Sequence, residues 1–186
     1  MNGISIFRRC LRLLVAFFVG LSLSDATVAL DITALNKSEL AKHNQYRSLS
    51  GVPLVTYSAN LAVNAQKHAE LMLKTNKFQH SGTANMGENL YNCTGSHDSA
   101  CLLPGAATEA WYSEIKEYNF TEPGFNLQTG HYTQVVWKRT TMIGCGYATG
   151  HKSEDNSFIS YVVCNYSPPG NYLDFFGSNV IKPTKF

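Results

Sequence analysis

Apolar residues recur along this chain in three rhythms, and each rhythm marks a different part. Arg8, Arg9 and Arg12 precede a nearly unbroken apolar run from Leu13 to Leu23, followed by the small residues Ser24, Ala26 and Ala29. That is the layout of a secretory signal peptide at residues 1–26, with cleavage after Ala26 or Ala29 and a domain over residues 30–186. About eleven apolar residues are too few to cross a bilayer core near 30 Å thick, so no transmembrane segment is expected. Helical spacing follows. Leu40, Asn44 and Arg47 predict a short helix over 38–48 with Ser38 as its N-cap. Ser58 caps a second helix to about residue 73, whose apolar face is Leu61, Ala65, His68, Ala69 and Met72. A third helix runs over 106–118, with Trp111, Ile115 and Tyr118 on one side and Glu114 one turn from both aromatics. The C-terminal half then changes period. Residues 132–137, 142–147 and 159–164 are β-branched or aromatic runs and read as strands, with a polar hairpin tip at 150–156. Pro168, Pro169 and Gly170 end regular structure. There are no internal repeats and no heptads. The pattern predicts an α+β domain, helices packed on an antiparallel sheet.

Composition changes this picture in one respect. The full chain of 186 residues carries fifteen basic and thirteen acidic residues. Cleavage removes Arg8, Arg9, Arg12 and Asp25 and leaves twelve of each. The mature protein is near neutral, without a basic run, so binding to nucleic acid or to an anionic membrane by charge is not expected. Cys10 leaves with the leader. Cys93, Cys101, Cys145 and Cys164 remain, an even number that reads as two disulfides in a secreted chain, with three connectivities to choose from. The expected pairs are Cys93–Cys101 across a loop and Cys145–Cys164 between neighbouring strands. Asn36, Asn92 and Asn119 each head an Asn-x-Ser/Thr acceptor pattern, while Asn165 is a poor acceptor because a proline follows its sequon.

Two segments are too rich in aromatic, His, Gly and Pro residues to be chance loops. One is Gly130-His131-Tyr132-Thr133-Gln134-Val135-Val136-Trp137. The other runs Tyr161-Val162-Val163-Cys164-Asn165-Tyr166-Ser167-Pro168-Pro169-Gly170-Asn171-Tyr172. With His43-Asn44 and Arg47, His80-Ser81, Gly87-Glu88-Asn89-Leu90-Tyr91, and Trp111 with Glu114 and Tyr118, they resemble the CAP superfamily of cysteine-rich secretory proteins, antigen-5 allergens and pathogenesis-related proteins. The resemblance runs from about residue 36 to the C-terminus. It implies a three-layer α-β-α sandwich around a central antiparallel sheet, and an extracellular location.

It also implies a site. The family positions matching His80, Glu88, Glu114 and His131 converge in an open cleft, and all four residue types are present here. His80 and His131 suit a weakly held divalent cation such as Zn2+, with Glu88 and Glu114 accepting from the far ring nitrogens to fix each tautomer. The same tetrad, with Ser81 beside His80, is the only candidate for metal-dependent hydrolysis, and no oxyanion hole accompanies it. Tyr118, Phe120 and Phe125 stand at the spacing that the family ties to sterol binding. The family's second lipid mode holds a fatty-acid chain between two helices, and the faces carrying Leu40 and Leu61, Ala65, Ala69 and Met72 suit either such a channel or direct packing on each other. The leading expectation is a carrier of sterols or fatty acids outside the cell. The alternatives are a module that binds an extracellular protein partner in immune modulation or defence, and then the hydrolase.

Overall fold

A computed structural model of the protein describes residues 31–97, 102–152 and 155–184. The leader expected at residues 1–26, and Cys101, lie outside the described residues. The first helix, α1 (Ile32–Leu49), begins before Ser38: Asp31 is its N-cap, accepting from the Thr33 N–H at 2.8 Å, and the Ser38 hydroxyl donates to Leu35 inside the helix. A two-residue strand β1 (Thr56–Tyr57) leads to α2 (Ala59–Thr75), which Ser58 caps as expected. The helix ends on Asn76 in the left-handed region at φ 51°. Strand β2 (Gly87–Gly95) is missed by the pattern, because its Gly and Asn content suits loops; pairing with a partner strand makes it. The third predicted helix divides into α3 (Ala106–Ser113) and a 3-10 turn at Glu114–Glu117.

The run at 132–137 is not a strand. Gly130–Val135 forms a short helix, α4, and Tyr132 to Trp137 are all buried. Two charged side chains from elsewhere hold its ends. Glu114 Oε2 accepts from the backbone N–H groups of His131 and Tyr132, and the Arg47 guanidinium donates to the carbonyls of Val135, Trp137, Thr140 and Pro53 at 2.7–3.0 Å. An acid at the N-terminus and a base at the C-terminus match the helix dipole and satisfy groups that the helix leaves open. This tertiary capping overrides a β-leaning sequence.

Strands β3 (Met142–Lys152) and β4 (Ser157–Ser167) form the long hairpin that the pattern predicts, and α5 (Phe176–Asn179) follows. The sheet order is β1-β3-β4-β2, antiparallel throughout except for the short parallel β1. Cys145 and Cys164 lie directly opposite, with Cα atoms 4.1 Å apart, and are joined as expected. Cys93 is disulfide-bonded.

Alternate residues of the hairpin enter two cores. Ile143, Cys145, Val162, Cys164 and Tyr166 join Trp111, Tyr132 and Trp137 under α1, α3 and α4. Ala148, Tyr161 and Val163 pack with Ala65, Ala69 and Met72 of α2 on the opposite face. The expected three layers are therefore present, and the sheet separates the two helix faces. Ala65, Ala69 and Met72 of the α2 face pack on the sheet, on the side away from α1. The approach is unusually close: a Cβ on Gly144 would stand 2.2 Å from Ala62 N, and one on Gly146 2.2 Å from Gln66 N.

The outer edge of β3 is closed by side-chain amides from both helical layers. Asn36 of α1 accepts from Cys145 N–H at 2.7 Å and donates to Cys145 C=O at 2.8 Å; Gln66 of α2 does the same for Tyr147 at 3.0 and 2.8 Å. Buried in this role, Asn36 has no amide to offer a glycan in the folded domain, which corrects the expectation of an acceptor there. Asn92 and Asn119 are exposed.

Two consequences are testable. Gly146→Ala forces backbone against backbone and should cost about 2 kcal/mol or more in urea unfolding. Gly124→Ala, where a Cβ meets nothing within 4 Å, should stay within about 0.5 kcal/mol. Equal stabilities would refute the close contact. The second concerns His43, wholly buried between the Glu39 carbonyl and the Tyr166 hydroxyl, each at 2.8 Å. Burial, opposed by the Glu39 hydrogen bond and assisted by the Arg47 charge, pulls its pKa from 6.5 to about 3. The unfolded chain then takes up a proton that the folded chain refuses. Stability from this group is whole above pH 6.5 and declines as pH falls toward 3. The His43 ring should show no NMR titration between pH 8 and pH 4 in the folded protein; a midpoint near 6.5 would overturn the assignment.

Candidate functional site

The four residues expected in the cleft form two separate histidine–carboxylate pairs. His80 follows α2 on an exposed segment, and its Nδ1 lies 2.9 Å from Glu88 Oε1 on β2. The same oxygen accepts from Ser81 N–H at 2.8 Å, and Asn165 Nδ2 donates to Glu88 Oε2 at 3.3 Å. Burial alone would raise the Glu88 pKa, but hydrogen bonds from His80 and Ser81 outweigh it and hold the carboxyl down to about 2. His131, at the start of α4, places Nδ1 2.6 Å from Glu114 Oε1. Glu114 thus performs two tasks, since its other oxygen caps the helix that carries His131. The Trp111 ring stacks on the imidazole with centroids 6.2 Å apart and planes 20° apart, while its indole N–H donates to Leu90 C=O at 2.9 Å.

The chemistry of each pair is the same. A carboxylate only accepts, so each Nδ1 facing one carries a hydrogen, and in the neutral imidazole that leaves the lone pair on Nε2. Both pairs reach the sheet at adjacent residues of its edge strand: Glu88 binds His80, and Asn89 donates to the His131 carbonyl at 3.1 Å. Among the described residues no hydrogen bond joins one pair to the other, and no group of three or more His, Cys, Asp or Glu side chains is arranged to hold a metal ion. An Nε2 that keeps its lone pair is the atom through which a histidine can ligate a metal.

Ser81 is not aligned as a nucleophile. Its hydroxyl donates to Thr83 Oγ1 at 3.0 Å, and the imidazole beside it faces Glu88. On the α2 side, His80 opens onto a cavity of about 340 Å3, shared with Asn64, His68, Leu71, Gln79 and Asn165. The sequence reading missed Asn89 and Asn165 as supports. Both stand inside motifs it quoted, and the signal was the amide type at buried strand positions.

The three aromatics of the expected sterol loop do not share one surface. Tyr118 is buried, edge-on to Phe120 at 4.9 Å, and both pack around Tyr132. The backbone leaves the 3-10 turn in extended form at Tyr118, which turns that ring inward. Phe125 alone remains 49% exposed, beside Gly130 and 6.4 Å from Phe176. Tyr118 is thus a core residue and Phe120 packs half-buried against the core, so the three rings do not form one exposed face.

Comparison with known proteins agrees with this architecture. The model of the Cysteine-rich secretory protein family matches residues 40–166. Golgi-associated plant pathogenesis-related protein 1 of Homo sapiens is 39% identical over 155 residues, which cover 78% of this chain and 92% of that protein. Protein PRY2 of Saccharomyces cerevisiae is 37% identical over 148 residues, 77% of this chain and 40% of the yeast protein. The solved structure of BmVAL-1 superposes with a TM-score of 0.62 at 26% identity, over 82% of this chain and 84% of that one. The chain belongs to the cysteine-rich secretory protein, or CAP, family.

Proposed function

We propose that the mature chain, released from its leader after Ala26 or Ala29, binds and carries a small apolar ligand outside the cell, a sterol foremost. The family is named for secretory proteins, and among the described residues no helix is long and apolar enough to cross a membrane. The observation that carries the ligand reading is Phe125. A phenylalanine ring left half exposed beside Gly130 and the buried Phe176 offers a flat apolar face on a firm base. A rigid sterol face covering it gains about 25 cal/mol per Å2 of apolar area removed from water. An alkyl chain has a separate place, a mostly apolar cavity of about 300 Å3 lined by Ile32, Thr33, Leu40 and Tyr57, with Lys37 available to a carboxylate.

A second reading rests on the two histidine–carboxylate pairs. His80 and His131 are the residues that would hold a divalent ion such as Zn2+, each through Nε2. When bound, the ion supplies a Lewis-acidic centre with open positions. Glu88 and Glu114 orient the rings, and Trp111 and Asn89 keep His131 in place.

The sterol reading is tested by radiolabelled cholesterol binding. Phe125→Ser should weaken binding by about tenfold, the loss of one partly buried ring, roughly 1.4 kcal/mol, with an unchanged thermal melt. Phe120→Ser should lower the melting temperature instead. Cholesterol affinity that is the same in wild type and Phe125→Ser would remove the loop from the site. The metal reading is tested by calorimetry with zinc. Binding should weaken on acidification, since imidazole must be neutral to ligate, and should fall at least tenfold in His131→Ala. Equal binding by the variant would exclude His131 as a ligand.

A further inference from the structure

Four asparagines of this chain head an Asn-x-Ser/Thr pattern, and the fold treats them differently. Asn36 is buried, and its Nδ2 donates to Ile32 C=O at 2.9 Å and to Cys145 C=O at 2.8 Å. Asn165 is buried as well, and its Nδ2 donates to Glu88 at 3.3 Å. Asn92 and Asn119 are both exposed. These two differ in where their own threonine stands. Asn92 and Thr94 lie on β2, paired with Tyr161 and Ile159 of β4. An extended strand sets residues two apart about 6.5 Å along its axis, and among the described residues no hydrogen bond joins the Asn92 amide to Thr94. At Asn119 the chain has left the 3-10 turn and folds back on itself. Asn119 Oδ1 accepts from Thr121 N–H at 3.0 Å and from the Thr121 hydroxyl at 2.7 Å, an Asx turn closed by both donors of the pattern's own threonine. Its Nδ2 reaches the exposed Glu122 carboxylate at 3.4 Å, so a substituent there breaks no buried bond.

We infer that Asn119 is the principal N-glycosylation site of this chain. An amide nitrogen is a poor nucleophile because its lone pair is delocalised into the carbonyl. Two donors on Oδ1 stabilise the charge that gathers on that oxygen as Nδ2 gives up a proton, in the manner of an oxyanion hole, and the lone pair returns to nitrogen. The co-reactant is a lipid-pyrophosphate-linked oligosaccharide of the secretory route. Nδ2 attacks the anomeric carbon of the first sugar. The N–C bond forms, the C–O bond to the pyrophosphate breaks, and the lipid pyrophosphate leaves with the bonding pair. One Nδ2 proton passes to a base on the transferase. The Asx turn closes within three residues and draws on no distant part of the chain, so it is available before the domain has folded. The folded domain also accommodates the product. Asn119 stands between the buried Tyr118 and the half-buried Phe120, whose rings anchor the backbone to the core while the amide itself remains outside. The inference rests on the extracellular reading, because the sugar donor is met only on the secretory route, and its test separates the two.

The experiment is expression of the full chain in a eukaryotic cell line, once with its own leader and once with a proven secretory leader in its place. Each sequon is then scored by peptide mass spectrometry after enzymatic deglycosylation in heavy-oxygen water, which marks every asparagine that carried a glycan. Asn119 should be occupied in most molecules and at least threefold more often than Asn92, with Asn36 and Asn165 unmodified in the folded, secreted protein. Thr121→Val, which keeps the shape of the threonine and removes its hydroxyl, should empty Asn119, while Thr121→Ser should retain the glycan. Asn119→Asp, which keeps an acceptor for both Thr121 donors, should be secreted with an unchanged melt and without the Asn119 glycan. An empty Asn119 in protein exported by the substituted leader overturns the inference. So does Asn92 occupied as often as Asn119, or a glycan that persists at Asn119 in Thr121→Val. A glycan at Asn119 with the substituted leader but not with the native one supports the inference and refutes the extracellular reading alone.

Discussion

A six-residue helix that its own sequence does not favour is the point on which the site depends. Left to local preference, the run from Tyr132 to Trp137 would be a strand. It becomes helical because Glu114 supplies a carboxylate to its first N–H groups and Arg47 gathers the carbonyls at and beyond its end. Burial lowers Arg47 only to about 10, so it keeps its charge at neutral pH. The same Glu114 fixes the His131 ring. Folding and site assembly therefore share one residue, and a change at Glu114 cannot touch the chemistry of His131 without also loosening the helix that presents it.

A second constraint sets the position of the layers. The α2-facing strip of β3 is Gly144, Gly146, Ala148 and Gly150, so helix backbone lies almost on strand backbone. At that distance no side chain can fill the gap, and the register between helix and sheet is set by where Cβ atoms are missing. Asn36 and Gln66 fix it further by standing in for the next strand at Cys145 and Tyr147. An edge that would otherwise offer two open peptide groups to another chain is closed from within.

These details explain what could and could not be read from the sequence. The α2 face, the Ser58 cap and the β3–β4 hairpin were legible because each is written in local periodicity. The family motifs named the histidines and carboxylates. The division of the four into two pairs was not legible, because it arises from successive residues Glu88 and Asn89 of a strand whose Gly and Asn content hides it. The α4 helix was hidden because its caps come from residues 17 to 93 positions away in sequence, and no local window contains them. Asn36 looked like a glycan acceptor for the same reason: its partner, Cys145, is 109 residues distant. In the aromatic loop, spacing revealed the residue types but not the inward turn of the backbone at Tyr118.

The molecule thus separates two kinds of surface. Around His80 and His131 the carboxylates and both Nδ1 atoms are assigned to partners, and the His131 ring is held further by an indole and a backbone hydrogen bond. Such a region is suited to holding something small and polar in a fixed geometry. Six residues before His131, Phe125 leaves apolar surface open on a loop that meets α4 at Gly130, where Asn171 is also tied. Because α4 carries His131 at its start and receives Asn171 through Thr133 and Gly130, one short helix supports both regions. Any shift of α4 would be felt at both. Its stabilisation by two ionic groups, more than a six-residue helix requires for its own sake, is accounted for by that double task.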